Sequence, residues 1–131
     1  MALQELRKEI NGRKVFAKQW NAKKGLAMSI KLLNTCQHLA IPFIEGNADF
    51  DDVLRLMAQV DHDRLTPIML EFIYCARTVD KSGQPIEIDS SNVDLIYEEK
   101  LIDLVLVFKE IAELQFKDFF VQGRARLPRR K

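Results

Sequence analysis

Residues 98–121 read EEKLIDLVLVFKEIAELQFKDFFV, and apolar side chains recur there on more than one side of a helix. Leu101, Leu104, Val105, Phe108, Ile111, Ala112 and Phe119 follow a helical period and form the main apolar face. Val107, Leu114 and Val121 recur every seven residues on another side, and Ile102, Leu106 and Phe120 widen the apolar surface further. In a chain of 131 residues one core rarely covers so much of a single helix. Two arrangements satisfy it: the helix is the hub of the fold, or part of it meets a partner. The residues that a partner or a second subunit would meet are Ile102, Leu106, Val107, Leu114, Phe120 and Val121.

Other elements gather around this helix. Thr66-Pro67 reads as a helix start, with threonine as cap and proline at the first helical position. The run IMLEFIYCA, residues 68–76, is apolar nearly all round and reads as a central helix that ends at the Lys81–Pro85 turn. Asp49 is a candidate cap for a helix to about Val60, with Asp51 and Asp52 in the dipole-favoured first turn and Phe50, Val53, Leu54 and Met57 turned inward. Asp61-His62-Asp63 reads as a polar break. Asn21 opens a helix in which Ala22, Leu26, Ile30 and Leu33 recur at helical spacing, and this helix is expected to stop before Pro42. Residues 86–88 suit a brief extended segment, and a short helix is expected over residues 93–97.

The N-terminus departs from this helical pattern. Asn11-Gly12 sits between residues 6–10 and 13–17, and both turn residues tolerate the positive φ of a two-residue hairpin turn. The competing reading is one helix over residues 2–10, ended by Asn-Gly. Together these readings give a mainly α fold, a single domain over residues 1–122 of four to five helices with a short N-terminal β-hairpin. Residues 123–131, GRARLPRRK, lack periodicity and read as a basic flexible tail.

Charge is segregated along the chain. Residues 1–40 carry +6, residues 41–122 carry −10 and residues 123–131 carry +5. Complementary contacts within the chain, contacts between neighbouring subunits and an ordinary solvated surface all accommodate this. The candidate electrostatic contacts are Lys24 and Lys31, which share a stripe with His38, and Arg124, Arg126, Arg129 and Arg130 in the tail. No apolar run is long enough to span a membrane as a helix, and the charged N-terminus does not resemble a signal peptide, so a cytoplasmic protein is expected. Cys36 and Cys75 lie far apart in apolar patterns and read as free thiols, with a disulfide as the other option.

No constellation for catalysis stands out. The two histidines, His38 and His62, have no partner at metal-ligand spacing, and Asp61-His62-Asp63 reads as a solvated turn. Gly-rich phosphate loops and a GxSxG elbow are missing from the sequence. An enzyme is therefore not expected, nor is a cofactor. Nucleic-acid binding through Lys23, Lys24, Lys31 and the tail is the alternative function, as a small regulatory protein of a mobile element. The acidic middle segment opposes it.

The order of several stretches resembles the tail assembly chaperones of long-tailed siphophages. INGRKV precedes a helix bearing Gly25-Leu26; ADFDDVLRLMAQ is similar to their short acidic-capped helix; TPIMLEFIYCAR resembles the buried helix that follows; SSNVDLIYEE leads into a long helix ending in LQFKDFF. The resemblance implies a mostly helical, self-associating protein of the host cytoplasm that binds the tape measure protein, keeps it soluble and leaves before the virion is finished. It also implies a longer product made by translational frameshifting, whose extension contacts the tail tube protein. A structural adaptor retained in the particle is a third reading.

Overall fold

The computed structural model describes residues 5–116. Asn11 (φ 49°) and Gly12 (φ 88°) both take the left-handed conformation, which matches the twist of a tight antiparallel hairpin. The hairpin joins β1 (Glu5–Ile10) to β2 (Arg13–Lys18). Next come α1 (Ala22–Cys36), a 3-10 turn (Gln37–Ala40) and the single helical turn α2 (Ile41–Ile44). Then follow α3 (Phe50–Gln59), α4 (His62–Ile73), β3 (Ala76–Val79), β4 (Pro85–Glu87), the single turn α5 (Val93–Ile96) and α6 (Leu101–Phe116).

The mainly α expectation is corrected by the sheet. Four antiparallel strands run in the order β1-β2-β3-β4, so the fold is mixed α and β. β3 was expected to be the end of the central helix. Instead α4 stops at Ile73, and Ala76, Arg77 and Thr78 pair with Ala17, Phe16 and Val15 of β2. Pairing with a strand about sixty residues upstream overrides a local apolar pattern that suits either helix or strand. The Thr78 hydroxyl, fully buried, donates to the Lys14 carbonyl at 2.7 Å.

One face of the sheet is dry and the other is wet. Ile10, Val15, Ala17, Ala76 and Thr78 are buried on the inner face. α6 crosses that face, tied down by Lys8–Glu110 (2.7 Å) and Asn11–Asp103. The Gln115 side chain donates to the Lys18 carbonyl (3.0 Å) and accepts from the Trp20 N–H (2.6 Å), while Gln19 donates to the Leu114 carbonyl (2.9 Å). α6 also packs against α2, α3 and α4, so it is the hub. Its buried residues are Val105, Val107, Phe108, Ile111, Ala112, Leu114 and Phe116. Phe72 of α4 touches the rings of Trp20, Phe108 and Phe116, with centroids 4.9–5.8 Å apart.

Two helix starts differ from the sequence reading and two boundaries match it. α1 stops before Pro42 as expected, ending at Cys36 where Gln37 turns to φ 53°, and Pro42 sits in the first turn of α2. α4 starts at His62, and Pro67 lies inside it, so the break between α3 and α4 is confined to Val60 and Asp61, while His62 and Asp63 open the helix. α6 starts at Leu101, after Glu99 at φ 60° separates it from α5. α3 matches its expected start, with a reciprocal capping box in which Asp49 and Asp52 each accept from the other's backbone N–H at 2.9 Å.

Candidate functional site

α1 and α3 each carry a wider apolar sector than the core covers. In α1 the covered arc holds Met28, Ser29, Leu32 and Cys36. The arc beside it holds Leu26 (59 % exposed), Ile30 (49 %) and Leu33 (38 %). These three are spaced i, i+4, i+7, so they form one continuous ridge on the helix surface. Ser29 marks the border, its hydroxyl donating to the Gly25 carbonyl at 2.8 Å. In α3 the buried residues are Val53 and Leu56, while Leu54 and Met57 are exposed and Phe50 is half-buried. Of the set expected to turn inward on α3, Val53 is buried and Phe50 packs partly against the core, whereas Leu54 and Met57 are corrected to exposed positions, because the burial arc is rotated from the apolar centre. A sequence period locates an apolar arc but not the part that the core occupies.

The candidate interface residues of the long helix separate into four groups. Val107 and Leu114 are buried in the monomer's own core and offer no surface to a partner. Leu106 is half-buried against that core. Ile102 is exposed beside Leu101 at the start of α6, and Leu95 of α5 is exposed as well. Phe120 and Val121 lie outside the described residues, as do Phe119 and the tail cations Arg124, Arg126, Arg129 and Arg130.

Lys24 and Lys31 do meet a carboxylate, and it belongs to the same chain. Both ammonium groups sit 3.1 Å from Glu71 of α4. Burial works to raise the Glu71 pKa, yet the hydrogen bonds and charges of the two lysines outweigh it and hold the carboxyl below its ordinary value. Part of the segregated charge is thus satisfied internally, by these pairs and by Lys8–Glu110.

The candidate ligand atoms of Asp61, His62 and Asp63 fall within 4.8 Å of one another, but all three residues are exposed at the start of α4, where acidic groups suit the helix dipole. Cys36 and Cys75 are free thiols. Burial pushes each up to about 11, against the weaker lowering effects of Arg64 on Cys36 and of Gln115 and Lys24 on Cys75. At neutral pH neither is a thiolate nucleophile. No helix among the described residues is long and apolar enough to cross a membrane.

The described residues thus present uncovered apolar ridges on α1 and α3. The family model described as phage tail assembly chaperone protein, TAC, matches residues 11–127. The chain belongs to this family. The match runs from the hairpin turn through α6, so all of the helices discussed above fall within it. No curated protein and no solved structure matches the chaperone. The resemblance read from INGRKV, ADFDDVLRLMAQ and the later stretches therefore points to the family that the comparison identifies.

Proposed function

We propose that this chaperone is a non-enzymatic binding protein that holds the tape measure protein soluble during tail assembly, through the Leu26–Ile30–Leu33 ridge of α1. The observation that carries the reading is this ridge, three large apolar side chains that the chain's own core leaves exposed. Family membership supplies the assembly context. An unassembled tape measure protein is long and helical with apolar stripes, and an apolar helix face is suited to such a client. Partial exposure also favours reversible binding: each side chain buries only its remaining area, so the client is released when tube subunits replace the chaperone.

The same reading places the protein in the host cytoplasm and leaves it out of the finished virion. It includes self-association, with Leu95, Leu101 and Ile102 as the surface between copies, and contact of a longer frameshifted product with the tail tube protein. Co-expression with the tape measure protein tests the central claim. Wild type is expected to keep the client in the soluble fraction, whereas Ile30→Asp folds normally by circular dichroism and leaves the client insoluble. A Leu26→Asp/Ile30→Asp protein that still solubilises the client as wild type does would overturn the assignment. Ile102→Asp is expected to alter the mass in light scattering without affecting solubilisation.

A further inference from the structure

The wet face of the sheet carries a feature that the client ridge does not explain. Register places Arg7 of β1, Phe16 of β2, Arg77 of β3 and Glu87 of β4 in one line across the four strands. At the Trp20 end this face opens into a groove of about 810 Å³, lined among others by Arg7, Phe16, Lys18, Trp20, Lys24 and Arg77. Its volume falls in the range of real ligand grooves. Phe16 and Trp20 are half-buried. Trp20 is fixed from behind by its edge contact with Phe72 and has the Lys24 ammonium 5.7 Å from its ring centroid.

Cations outnumber carboxylates around these rings. Glu5 is shared between Arg7 (3.6 Å) and Lys18 (3.7 Å), and Glu71 between Lys24 and Lys31. Arg77 reaches Glu87 at 3.4 Å. All these pairs are solvent-exposed, and exposed pairs at such distances exchange readily for better partners. Two aromatic rings framed by surplus guanidinium and ammonium groups suit a ligand that is both anionic and apolar.

We propose that this groove docks an acidic peptide segment of a partner protein, its carboxylates on Arg7, Lys18 and Arg77 and an apolar side chain against Phe16 and Trp20. Charge complementarity selects this occupant. The chain's own C-terminal residues are strongly basic and do not suit the groove. The site lies between the sheet and the start of α1, uses none of Leu26, Ile30 and Leu33, and does not depend on the client assignment.

Trp20 is the sole tryptophan, so its fluorescence in the full chain reports on the groove directly. The probe is a short blocked peptide of Asp and Glu with a central Leu-Phe pair, compared with its Asn/Gln counterpart and with an oligothymidylate. The acidic peptide is expected to shift the emission saturably, to weaken as salt is added, and to bind about tenfold more weakly to the Arg7→Glu/Arg77→Glu protein. Both arginines are exposed, so that protein should keep the wild-type circular dichroism spectrum. Ile30→Asp is expected to bind the peptide as wild type does. The proposal is overturned if the neutral peptide binds equally well or the double substitution changes nothing. It is also overturned if oligothymidylate binds more tightly, or if concentrating the protein alone gives the same shift, which would assign the groove to nucleic acid or to a second copy.

Discussion

Leu32 and Ile30 sit two residues apart on α1, and substituting each by alanine separates covered from uncovered surface. Leu32 is 0 % exposed and belongs to the core, so Leu32→Ala removes packed methyl groups and leaves a cavity. The expected loss is about 2–5 kcal/mol. Ile30 is 49 % exposed. Full burial of such a side chain contributes about 1.5–3 kcal/mol, so half-burial contributes about 1 kcal/mol. Alanine returns up to about 0.5 kcal/mol through its higher helix propensity. Ile30→Ala should therefore cost below about 1 kcal/mol. Urea unfolding followed by Trp20 fluorescence and circular dichroism measures both, and an unchanged m-value would show that the unfolded state is comparable. In thermal melts the two should separate clearly, with Leu32→Ala lower by about 10–20 °C and Ile30→Ala by a few degrees. Equal losses would refute the placement of the α1 ridge in solvent, and with it the surface assigned to the client.

Three further outcomes follow from local features. Gly12→Ala puts a Cβ at φ 88°, where nothing crowds it but the backbone itself is strained, and should destabilise the protein by about 1–2 kcal/mol in the same unfolding assay. Both thiols are pushed up to about 11, so alkylation at pH 8 should be slow in the native protein and fast once urea unfolds it; rapid native labelling would contradict the burial. Asp49, Asp80, Asp89 and Glu71 have folded pKa values below their ordinary ones: Asp49 through the Asp52 N–H, Asp80 and Asp89 through Ser82 and Ser91, and Glu71 through its two lysines despite opposing burial. Groups with depressed pKa stabilise the fold fully above their unfolded values near 4 and lose that contribution as pH falls through the folded values. The melting temperature should accordingly fall on acidification below about pH 4.5, and Glu71→Gln should flatten part of that fall. A melting temperature that rises over this range would contradict the assigned contacts.

Legibility from sequence tracked the range of the interaction involved. The hairpin was readable because Asn11-Gly12 fixes its own backbone, and the α3 start because Asp49 and Asp52 satisfy each other three residues apart. The α5 turn and the extended segment near Ile86 were also near their expected places. The start of α4 was misread because Thr66-Pro67 is a strong local signal, while the actual start at His62 has no side-chain cap to announce it. Of the candidate site residues, Lys24 and Lys31 were readable as a stripe, but their partner Glu71 was not, since it lies on another helix. The groove on the sheet was missed entirely, because its residues come from strands joined only in three dimensions.

The sequence by itself determined where apolar arcs lie, where the chain turns at Asn11-Gly12, and that its order of stretches resembles one family. Only the tertiary structure decided that residues 76–79 form a strand, because β2 supplies the backbone partners that a local pattern cannot. It also decided which apolar residues are covered. Val107 and Leu114 went into the core because α6 is enclosed by both the sheet and the helices, whereas Leu26, Ile30 and Leu33 stayed in water because the core meets α1 on the neighbouring arc. Periodicity states that a side chain is apolar and in phase; burial depends on whether another element reaches that phase.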